Sequence, residues 1–559
     1  MISTLSQKFG EMGNEWLIFC VACIGIIGIS KFLMLGMRPK NYPPGICQKI
    51  PNTIKVHDVD KIQFLGPPTL PIIGNLHQLP KKDIHLAYDR WAKQYGPIFS
   101  LKLGNTTTIV LANGDTIKKL VDKRSANYAD RQSIYMRDLY DDLWKVERKL
   151  YHNFLNINVA KKYHPYQSLE MTRLCVDLLQ DPVNFFAHIS RATSSIGSSM
   201  TYGFRLNSME DHAIKELNRN THGFFGLVLQ SKFLDWYPIF RPLVKLLPIR
   251  LNPLAAKATD FYHRERTHFR KLYLDVKANM YSEGVMLSFA CDIAKAQETW
   301  KGTSIGDLLT DKAASYIAGI SFEGGADTSR NTLIGFIKAM AIFQDAQKQA
   351  QEEIDRVVGP DRMPNMDDFD QLPFVRCTMK EALRWMPVAI TGAIPHATRE
   401  EDEFEGYHIP KGAGIVMAVW SANNDTNLFT DPRVFNPARH SSKTSLAESA
   451  ASKDYRDRDQ WTFGAGRRMC PGIHVAERTL FIAISRLLWT FSITKDQDMD
   501  GNEIYIPPDE VDQSLAACPP PFKCKIVPRD GKRTKIVVEE WAKATALLDG
   551  NGNYKTPII

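Results

Sequence analysis

The feature that most constrains this chain of 559 residues is the glycine-rich loop Phe463–Gly472 (FGAGRRMCPG), which contains one cysteine. Glycines allow a backbone to turn tightly and to approach a flat ligand closely. Arg468 stands two residues before Cys470 and can pair with an anionic group. Pro471 suits the first turn of a helix, and a helix N-terminus stabilises a thiolate. The loop therefore predicts Cys470 as a soft, electron-rich metal ligand, rather than a buried cysteine in an ordinary loop.

Four segments carry a pattern that is specific when they are taken together. The loop fits FxxGxRxCxG at Phe463, Gly466, Arg468, Cys470 and Gly472. The others are Gly324–Ser329, Glu381–Arg384 and Asp431–Arg439. In this order they resemble the motifs of the cytochrome P450 superfamily, in the style of its fungal microsomal members. The resemblance covers roughly residues 67–529 and implies a single mainly α fold with small β-sheets. Such a fold encloses a haem b, whose iron would be bound by Cys470.

Glu381 and Arg384 are one helical turn apart and can share a helix face. From the residues alone, such a pair is usually a solvated surface bridge of little energetic value. The resemblance implies instead a buried Glu381–Arg384–Arg439 network that locks the core on the haem side. Ala438 stands where the family usually has Glu, but Arg439 is kept, so we expect the network to form.

Gly324 and Gly325 lie in the middle of a predicted helix, where each costs about 1 kcal/mol relative to Ala. A packing contact or a flexible helix break would explain them without any chemistry. The resemblance implies instead a groove over the iron, in which dioxygen sits. Thr328 would then hydrogen-bond the oxygen and Asp327 would help to relay protons. These two residues are the predicted catalytic residues.

Haem propionates need cationic or hydrogen-bonding partners. Arg468 is the first candidate. Trp144 and Arg148 are spaced i, i+4 and match the family's WxxxR, and His396 matches a further propionate contact, although a lone histidine is more often a structural residue. The predicted haem-binding residues are thus Trp144, Arg148, His396, Phe463, Gly466, Arg468 and Gly472.

Substrate contacts can be placed only by resemblance, in Gly319–Glu323, Ala389–Ala393, Leu515–Ala517 and the loop before Trp144. Only 12 residues separate Arg131 from Trp144, which is short for the family. That segment usually caps the substrate pocket. Either the pocket is unusually open, or coding sequence is missing from this loop.

The N-terminal segment Trp16–Met37 is apolar, with Lys31 as its one charge. At ~1.5 Å per residue a helix of this length reaches ~33 Å, enough to cross a bilayer. A cleaved signal peptide is the alternative, but no A-x-A site follows. Positive charges on the C-terminal side place the bulk of the chain in the cytosol. We therefore expect a single-pass protein in contact with membrane lipid, facing the cytosol from the endoplasmic reticulum.

The predicted organisation has four parts. Residues 1–40 form the anchor, 41–80 a Pro-rich hinge, 81–530 the haem-thiolate monooxygenase domain, and 531–559 a C-terminal tail that matches no known pattern. Within the hinge, residues 46–66 separate two Pro/Gly clusters that would otherwise be continuous. We hypothesise that this segment is a retained intron.

Hydrophobic periodicity predicts mostly helices in the domain. The segments with a predicted structure are a hairpin at 97–112, helices at 114–123, 141–155 and 374–386, two helices within 305–358, strands within 404–419, and a final long helix at 472–491. Segment 223–247 is strongly apolar and aromatic. It predicts either core or a face that dips into the membrane near the anchor.

The leading functional prediction is a monooxygenase that hydroxylates or oxidises an apolar small molecule, with a place in fungal secondary metabolism. No NAD(P)H or flavin fingerprint appears, so the electrons are expected from an NADPH–cytochrome reductase. A basic face that includes Lys145, Lys149 and Arg467 could dock an acidic reductase. The net charge of +8 is mild, and no signature of nucleic-acid binding is present.

Two other readings stay open. A haem-thiolate isomerase or dehydratase would need no reductase, but the Asp327–Thr328 pair argues against it. A non-catalytic haem-binding membrane protein is favoured by the unusual Asp431–Arg439 segment, the short loop before Trp144 and the possible intron.

Overall fold

A computed structural model describes Met37, Tyr42 and residues 67–132, 144–512 and 516–557. Apart from Met37, the predicted anchor lies outside the described residues, as do the insertion 46–66 and the loop 133–143. Leu515 and the side chain of Trp144 lie outside them as well. Within the described ranges, no helix is long and apolar enough to cross a bilayer.

Helices make up most of the described chain. The first ten are α1 Ile84–Tyr95, α2 Gly114–Ile117, α3 Ser125–Tyr128, α4 Trp144–Leu155, α5 Ile157–Ala160, α6 His164–Gln180, α7 Phe185–Tyr202, α8 His212–Trp236, α9 Arg241–Leu246 and α10 Pro253–Asn279. The next nine are α11 Phe289–Thr299, α12 Ser304–Leu308, α13 Asp311–Ile342, α14 Gln344–Val357, α15 Pro373–Trp385, α16 Val419–Asn423, α17 Leu446–Ala450, α18 Ile473–Thr490 and α19 Gly531–Thr545. The prediction of a mainly helical protein is confirmed.

The strands form three small sheets. In chain order they are β1 Ile98–Leu103, β2 Thr106–Leu111, β3 Asp130–Arg131, β4 His396–Ala397, β5 Asp402–Phe404, β6 Tyr407–Ile409, β7 Gly414–Met417, β8 Phe491–Lys495 and β9 Cys524–Pro528. The largest sheet has the order β1-β2-β7-β4-β3, and the others pair β5 with β6 and β8 with β9. The predicted hairpin at 97–112 is confirmed, because β1 and β2 are antiparallel with Ile98 opposite Leu111.

The longest helix, α13, crosses the core and packs against α7, α10 and α18. Small residues let its neighbours approach closely. A Cβ on Gly319 would lie 2.5 Å from the ring of Phe269 on α10, and a Cβ on Gly197 of α7 would lie 3.2 Å from the ring of Phe322. The core packing thus fixes the orientation of α13, and with it the segment 324–329.

The prediction from the sequence gave too few helices in two places. Segment 305–358 contains α12, α13 and α14 rather than two helices. Thr303 and Thr310 each cap the N-terminus of a helix, so the short α12 precedes α13. The helix at 472–491 was predicted to be the final one, which is wrong. The tail forms α19, capped by Asp530, and packs on α6.

The tail ends in a turn that is inserted between helices. Tyr554 is buried, its hydroxyl lies 3.1 Å from the Ser199 hydroxyl, and its ring is 4.9 Å from that of Tyr166. Arg205 donates to the carbonyl of Gly552 at 2.6 Å. Residues 531–557 are therefore part of the packed domain in this structure.

Segment 223–247 and the residues after it present an apolar surface rather than core. The side chains of Leu243, Leu246 and Leu251 are 61%, 81% and 68% exposed. Only a few residues of the segment, such as Leu227 and Leu234, are buried. Of the two predictions for this segment, core packing is therefore wrong for most of it.

Candidate active site

The cysteine loop is held in its turn by two glycines. Gly464 and Gly466 have φ of +73° and +63°, in the left-handed region that suits glycine. A Cβ on Gly466 would lie 2.2 Å from the carbonyl oxygen of Val121, so a larger residue does not fit. The Cys470 N–H donates to the carbonyl of Phe463 at 2.9 Å and closes the loop. The backbone itself therefore fixes where the thiol sits.

Cys470 stands just before α18, whose N-cap is Gly472. Burial raises the pKa of its thiol, although the Gly472 N–H bond and the positive charge of Arg148 act in the opposite direction. Arg148 is held beside the thiol, because it donates to the carbonyl of Met469 at 2.7 Å. The helix end thus favours the thiolate without being sufficient for it. A bound cation would complete the deprotonation, as it does for coordinating thiols generally.

Two predicted propionate partners meet at the end of α3. Arg468 donates from Nε to the carbonyl of Ala129 at 2.8 Å. His396 lies 2.8 Å, through Nδ1, from the carbonyl of Tyr128. Residues that are far apart in sequence are thereby brought to one place, and their binding to haem propionates stays a prediction.

His396 is neutral in this environment, because burial, Arg131 and Arg468 outweigh its bond to Tyr128 and lower its pKa to about 4. A carbonyl only accepts, so Nδ1 carries the hydrogen and Nε2 is left as an acceptor. A propionate at Nε2 would favour the protonated ring.

Arg131 is a candidate site residue that was not predicted from the sequence. It lies opposite His396 in the β3–β4 pair and donates to the carbonyl of Ile394. A two-residue strand leaves no periodic signal, so nothing in the sequence pointed to this cation.

The middle of α13 opens into a groove. Gly324, Gly325 and Thr328 are exposed and Ile320 is 48% exposed, although the helix runs through the core. A Cβ on either glycine would meet nothing within 4 Å, and the helix is continuous from Asp311 to Ile342. The glycines are therefore explained neither by a packing contact nor by a helix break. They leave open space beside the helix.

The predicted catalytic pair lies at this groove. Thr328 donates from its hydroxyl to the carbonyl of Gly324 at 2.8 Å. Asp327 forms an ion pair with Arg330 at 3.1 Å. Burial raises the pKa of Asp327, while Arg330 and His222 act to lower it. Asp327 is thus a carboxylate withdrawn from solvent, next to a hydroxyl that faces the groove.

These residues fit a haem. The protein offers a half-buried free thiol at a helix N-terminus, cationic side chains at one edge, and open space beside two helix glycines. Trp144 begins α4 one turn before Arg148, which agrees with the predicted pair, although its side chain lies outside the described residues.

Two of the predicted substrate segments lie together. The Ala517 N–H donates to the carbonyl of Val388 at 2.8 Å, directly before Ala389–Ala393. Asn331 of α13 donates to the carbonyl of Ala516 at 2.7 Å. Gly319, in the predicted substrate segment Gly319–Glu323, was also predicted to contact substrate, but it faces the ring of Phe269 rather than open space.

The Glu381–Arg384–Arg439 network is buried and larger than predicted. Arg384 binds both carboxylate oxygens of Glu381 at 2.7 Å, and Arg439 lies 3.2 Å from Oε1. His440 adds a further contact at 2.7 Å from Oε2. Burial alone would raise the pKa of Glu381, but the bonds from Arg384 and His440 hold it at about 2. Ala438 is exposed, so the loss of the usual Glu leaves the network intact.

Comparisons with known proteins agree with this geometry. The profile described as Cytochrome P450 matches residues 65–526. The chain is 37% identical to cytochrome P450 monooxygenase virE of Hypocrea virens, over 98% of this chain and 96% of that protein. It is 37% identical to cytochrome P450 monooxygenase fogE of Aspergillus ruber, over 95% of both chains. It is 36% identical to cytochrome P450 monooxygenase fsoB of Humicola fuscoatra, over 97% of both.

Proposed function

Since this chain belongs to the cytochrome P450 family, and is an oxidoreductase with haem iron as its cofactor, we propose that it hydroxylates or otherwise oxidises an apolar small molecule. The observation that carries the proposal is the presence, in one packed domain, of a half-buried free thiol, Cys470, and of an open groove on α13 that holds Asp327 and Thr328. The relatives are fungal monooxygenases, which supports a role in fungal secondary metabolism.

The residues divide into holding and proton-handling roles. Cys470 would bind the iron, and Arg148, Arg468 and His396 would hold the propionates. When bound, the haem supplies oxygen activation at its iron. Thr328 presents a hydroxyl to the groove, and Asp327 holds a carboxylate that can accept and release a proton beside it. The open space beside Gly324 leaves room for a small ligand next to the helix.

The direct test is Cys470→Ala. We expect loss of the absorption band of the reduced, carbon monoxide-bound protein and loss of turnover, because no other thiol sits in this loop. Cys524→Ala is the matched control, since Cys524 is a free cysteine in β9 outside the site. An unchanged band in Cys470→Ala would refute the assignment.

We propose that the electrons come from NADPH–cytochrome reductase. Arg467 is exposed on the cysteine loop and Lys149 is exposed on α4, which supports a basic docking face. The side chain of Lys145, the third predicted member, lies outside the described residues. Arg467→Glu should raise the KM for the reductase and leave carbon monoxide binding unchanged. Turnover without NADPH and reductase would instead favour an isomerase or dehydratase.

We also propose that the chain is anchored by Trp16–Met37 in the endoplasmic reticulum, with the domain in the cytosol. The exposed apolar side chains of residues 239–251 support contact with lipid, because contiguous apolar surface of this kind usually marks an interaction site. Amide hydrogen exchange over residues 239–251 should be slower in protein embedded in nanodiscs than in the same protein without lipid. Exchange around the isolated exposed Val183 should not change, and equal exchange in both segments would contradict the lipid contact.

A further inference from the structure

A carboxylic acid of unassigned chemistry lies one helical turn before Asp327. Glu323 directly precedes the two glycines of the groove, and residues spaced i, i+4 share a helix face. Its Oε1 is buried and has no hydrogen-bond partner among the described residues. Leaving a buried polar atom unpaired is energetically unfavourable. The fold therefore keeps Glu323 at a cost in stability, which calls for a functional explanation.

The groups that face Glu323 are acidic or phenolic. Glu265 approaches from α10, and Asp327 lies on α13 with Glu323 itself. Both neighbours act on Glu323 as negative charges. Tyr202 of α7 and Tyr151 of α4 also sense the Glu323 charge. The Tyr151 hydroxyl donates to the carbonyl of Ile317 at 2.7 Å, so it is already occupied.

This environment favours the protonated acid. Burial is the largest effect, and Glu265 and Asp327 add to it, so that the pKa of Glu323 rises to about 8. The Tyr202 hydroxyl, which is buried and has no hydrogen-bond partner in the described part of the chain, is a neutral group and does not offset the negative charges. Glu323 is thus neutral at neutral pH.

Asp327 is the contrasting member of the pair. It is ion-paired with Arg330 at 3.1 Å, and His222 of α8 adds positive potential. One turn of helix thereby places a protonated acid next to a carboxylate that can accept a proton. The carboxylate in turn adjoins Thr328, whose hydroxyl faces the groove.

We propose that Glu323 is a proton store that supplies Asp327, and through it the groove at Thr328. In this step the O–H bond of Glu323 breaks, an O–H bond forms on Asp327, and Glu323 becomes a carboxylate. Solvent in the groove then returns a proton to Glu323. The inference rests on the proposed function. Glu323 acts through Asp327 and is therefore a positioning residue rather than a catalytic one.

The first test reads the proton directly, by infrared spectroscopy of the haem-loaded protein. A protonated carboxyl band should be present at neutral pH, should disappear with a midpoint near pH 8, and should be absent from Glu323→Gln. Glu265→Gln is the matched control, because it removes one negative neighbour. It should keep the band and move its midpoint to lower pH. The proposal is overturned if the band persists in Glu323→Gln, or if Glu323 titrates near 4.5, its ordinary value.

The second test reads proton supply through oxygen consumption with NADPH and reductase, with no substrate added. The wild-type rate should fall as pH rises through about 8, as Glu323 loses its proton. Glu323→Gln should be roughly tenfold slower and lack this inflection, a smaller loss than the ~10²–10⁴-fold of a general acid that acts directly. A wild-type pH profile in Glu323→Gln would refute the proposal. Failure of the wild type to consume oxygen would refute the proposed function, while the infrared result would stand separately.

Discussion

Two glutamates on packed helices, Glu381 of α15 and Glu323 of α13, have opposite environments. Glu381 accepts hydrogen bonds from Arg384, Arg439 and His440, and its pKa is held at about 2. Glu323 has acidic neighbours and an unpaired Oε1, and its pKa is raised to about 8. The pairing of each carboxylate, and not its withdrawal from solvent, decides whether it is ionised.

The same contrast holds for the regions around them. On the haem-holding side, the cysteine loop and the Glu381–Arg384–Arg439 network are held by hydrogen bonds to backbone and side chains. On the groove side, the chain leaves open space beside two glycines and a carboxyl oxygen without a partner. Local rules of folding are commonly violated at functional sites. The haem-holding side therefore supplies stability, and the groove side keeps the features that the chemistry needs.

The largest effect should come from breaking the pairing of Glu381. Glu381→Gln removes the charge and leaves the buried Arg384 guanidinium uncompensated, which should lower the free energy of unfolding by about 3–5 kcal/mol. Urea unfolding of the haem-loaded protein measures this loss. Glu539→Gln, on the exposed face of α19, is the control and should stay within about 0.5 kcal/mol of wild type. A loss below about 1 kcal/mol in Glu381→Gln would mean that the network is not the stabilising element.

Gly466→Ala should have the next largest effect, because it strains the cysteine loop on the haem-holding side. The residue would keep φ near +63° and place its Cβ 2.2 Å from the Val121 carbonyl oxygen. We expect a loss of about 2–3 kcal/mol and reduced haem content. Gly501→Ala separates strain from crowding, since Gly501 has φ of +83° but no atom within 4 Å of its Cβ. Equal losses in both variants would show that crowding by Val121 plays no part.

How well the sequence predicted each side follows the same division. The haem-holding side could be predicted through the family resemblance, whose motifs contain Cys470, Arg468, Glu381 and Arg384 at fixed spacing, whereas the Glu381–Arg384 spacing alone indicated only a surface bridge. His440 was missed, although it directly follows Arg439, because only the fold brings its ring to Glu381. On the groove side, the helix and its glycines were predicted from the sequence.

The state of Glu323 could not be predicted, because it depends on Glu265, which is 58 residues away and approaches from another helix. The tail was missed for a similar reason. Helix α19 buries few residues of its own, and Tyr554 gains its role only by insertion beside Ser199. Short-range patterns do not report such contacts.

The contributions of the two glutamates to the free energy of unfolding should change with pH in opposite directions. Glu381 has a folded pKa of about 2 against an ordinary 4.5, so its contribution is present above pH 4.5 and is lost as pH falls toward 2. Glu323 has a folded pKa of about 8 against an ordinary 4.5, so the unfolded chain loses this proton at a lower pH than the folded protein does. The free energy of unfolding therefore falls as pH rises from 4.5 to 8.

Glu323→Gln should therefore stabilise the protein at mildly alkaline pH, by roughly 1–2 kcal/mol, because the buried group can no longer ionise. Thermal unfolding at mildly acidic and mildly alkaline pH measures the difference. Asp498→Gln is the control, since its carboxylate is fully exposed and should leave the alkaline side of the profile unchanged. Destabilisation by Glu323→Gln at alkaline pH would contradict the assignment of a neutral acid.

The smallest expected change in stability has the opposite sign to that of Gly466→Ala. Gly324→Ala adds a Cβ in open space on a continuous helix, so it should raise the free energy of unfolding by up to about 1 kcal/mol. The same methyl group would occupy the groove and slow oxygen consumption. Gly319→Ala on the same helix is the matched control, because its Cβ would lie 2.5 Å from the Phe269 ring and should destabilise the protein. A Gly324→Ala protein that is more stable and fully active would show that the groove is wider than oxygen chemistry requires. A more stable but slower protein would show that this glycine is kept for activity at the expense of stability.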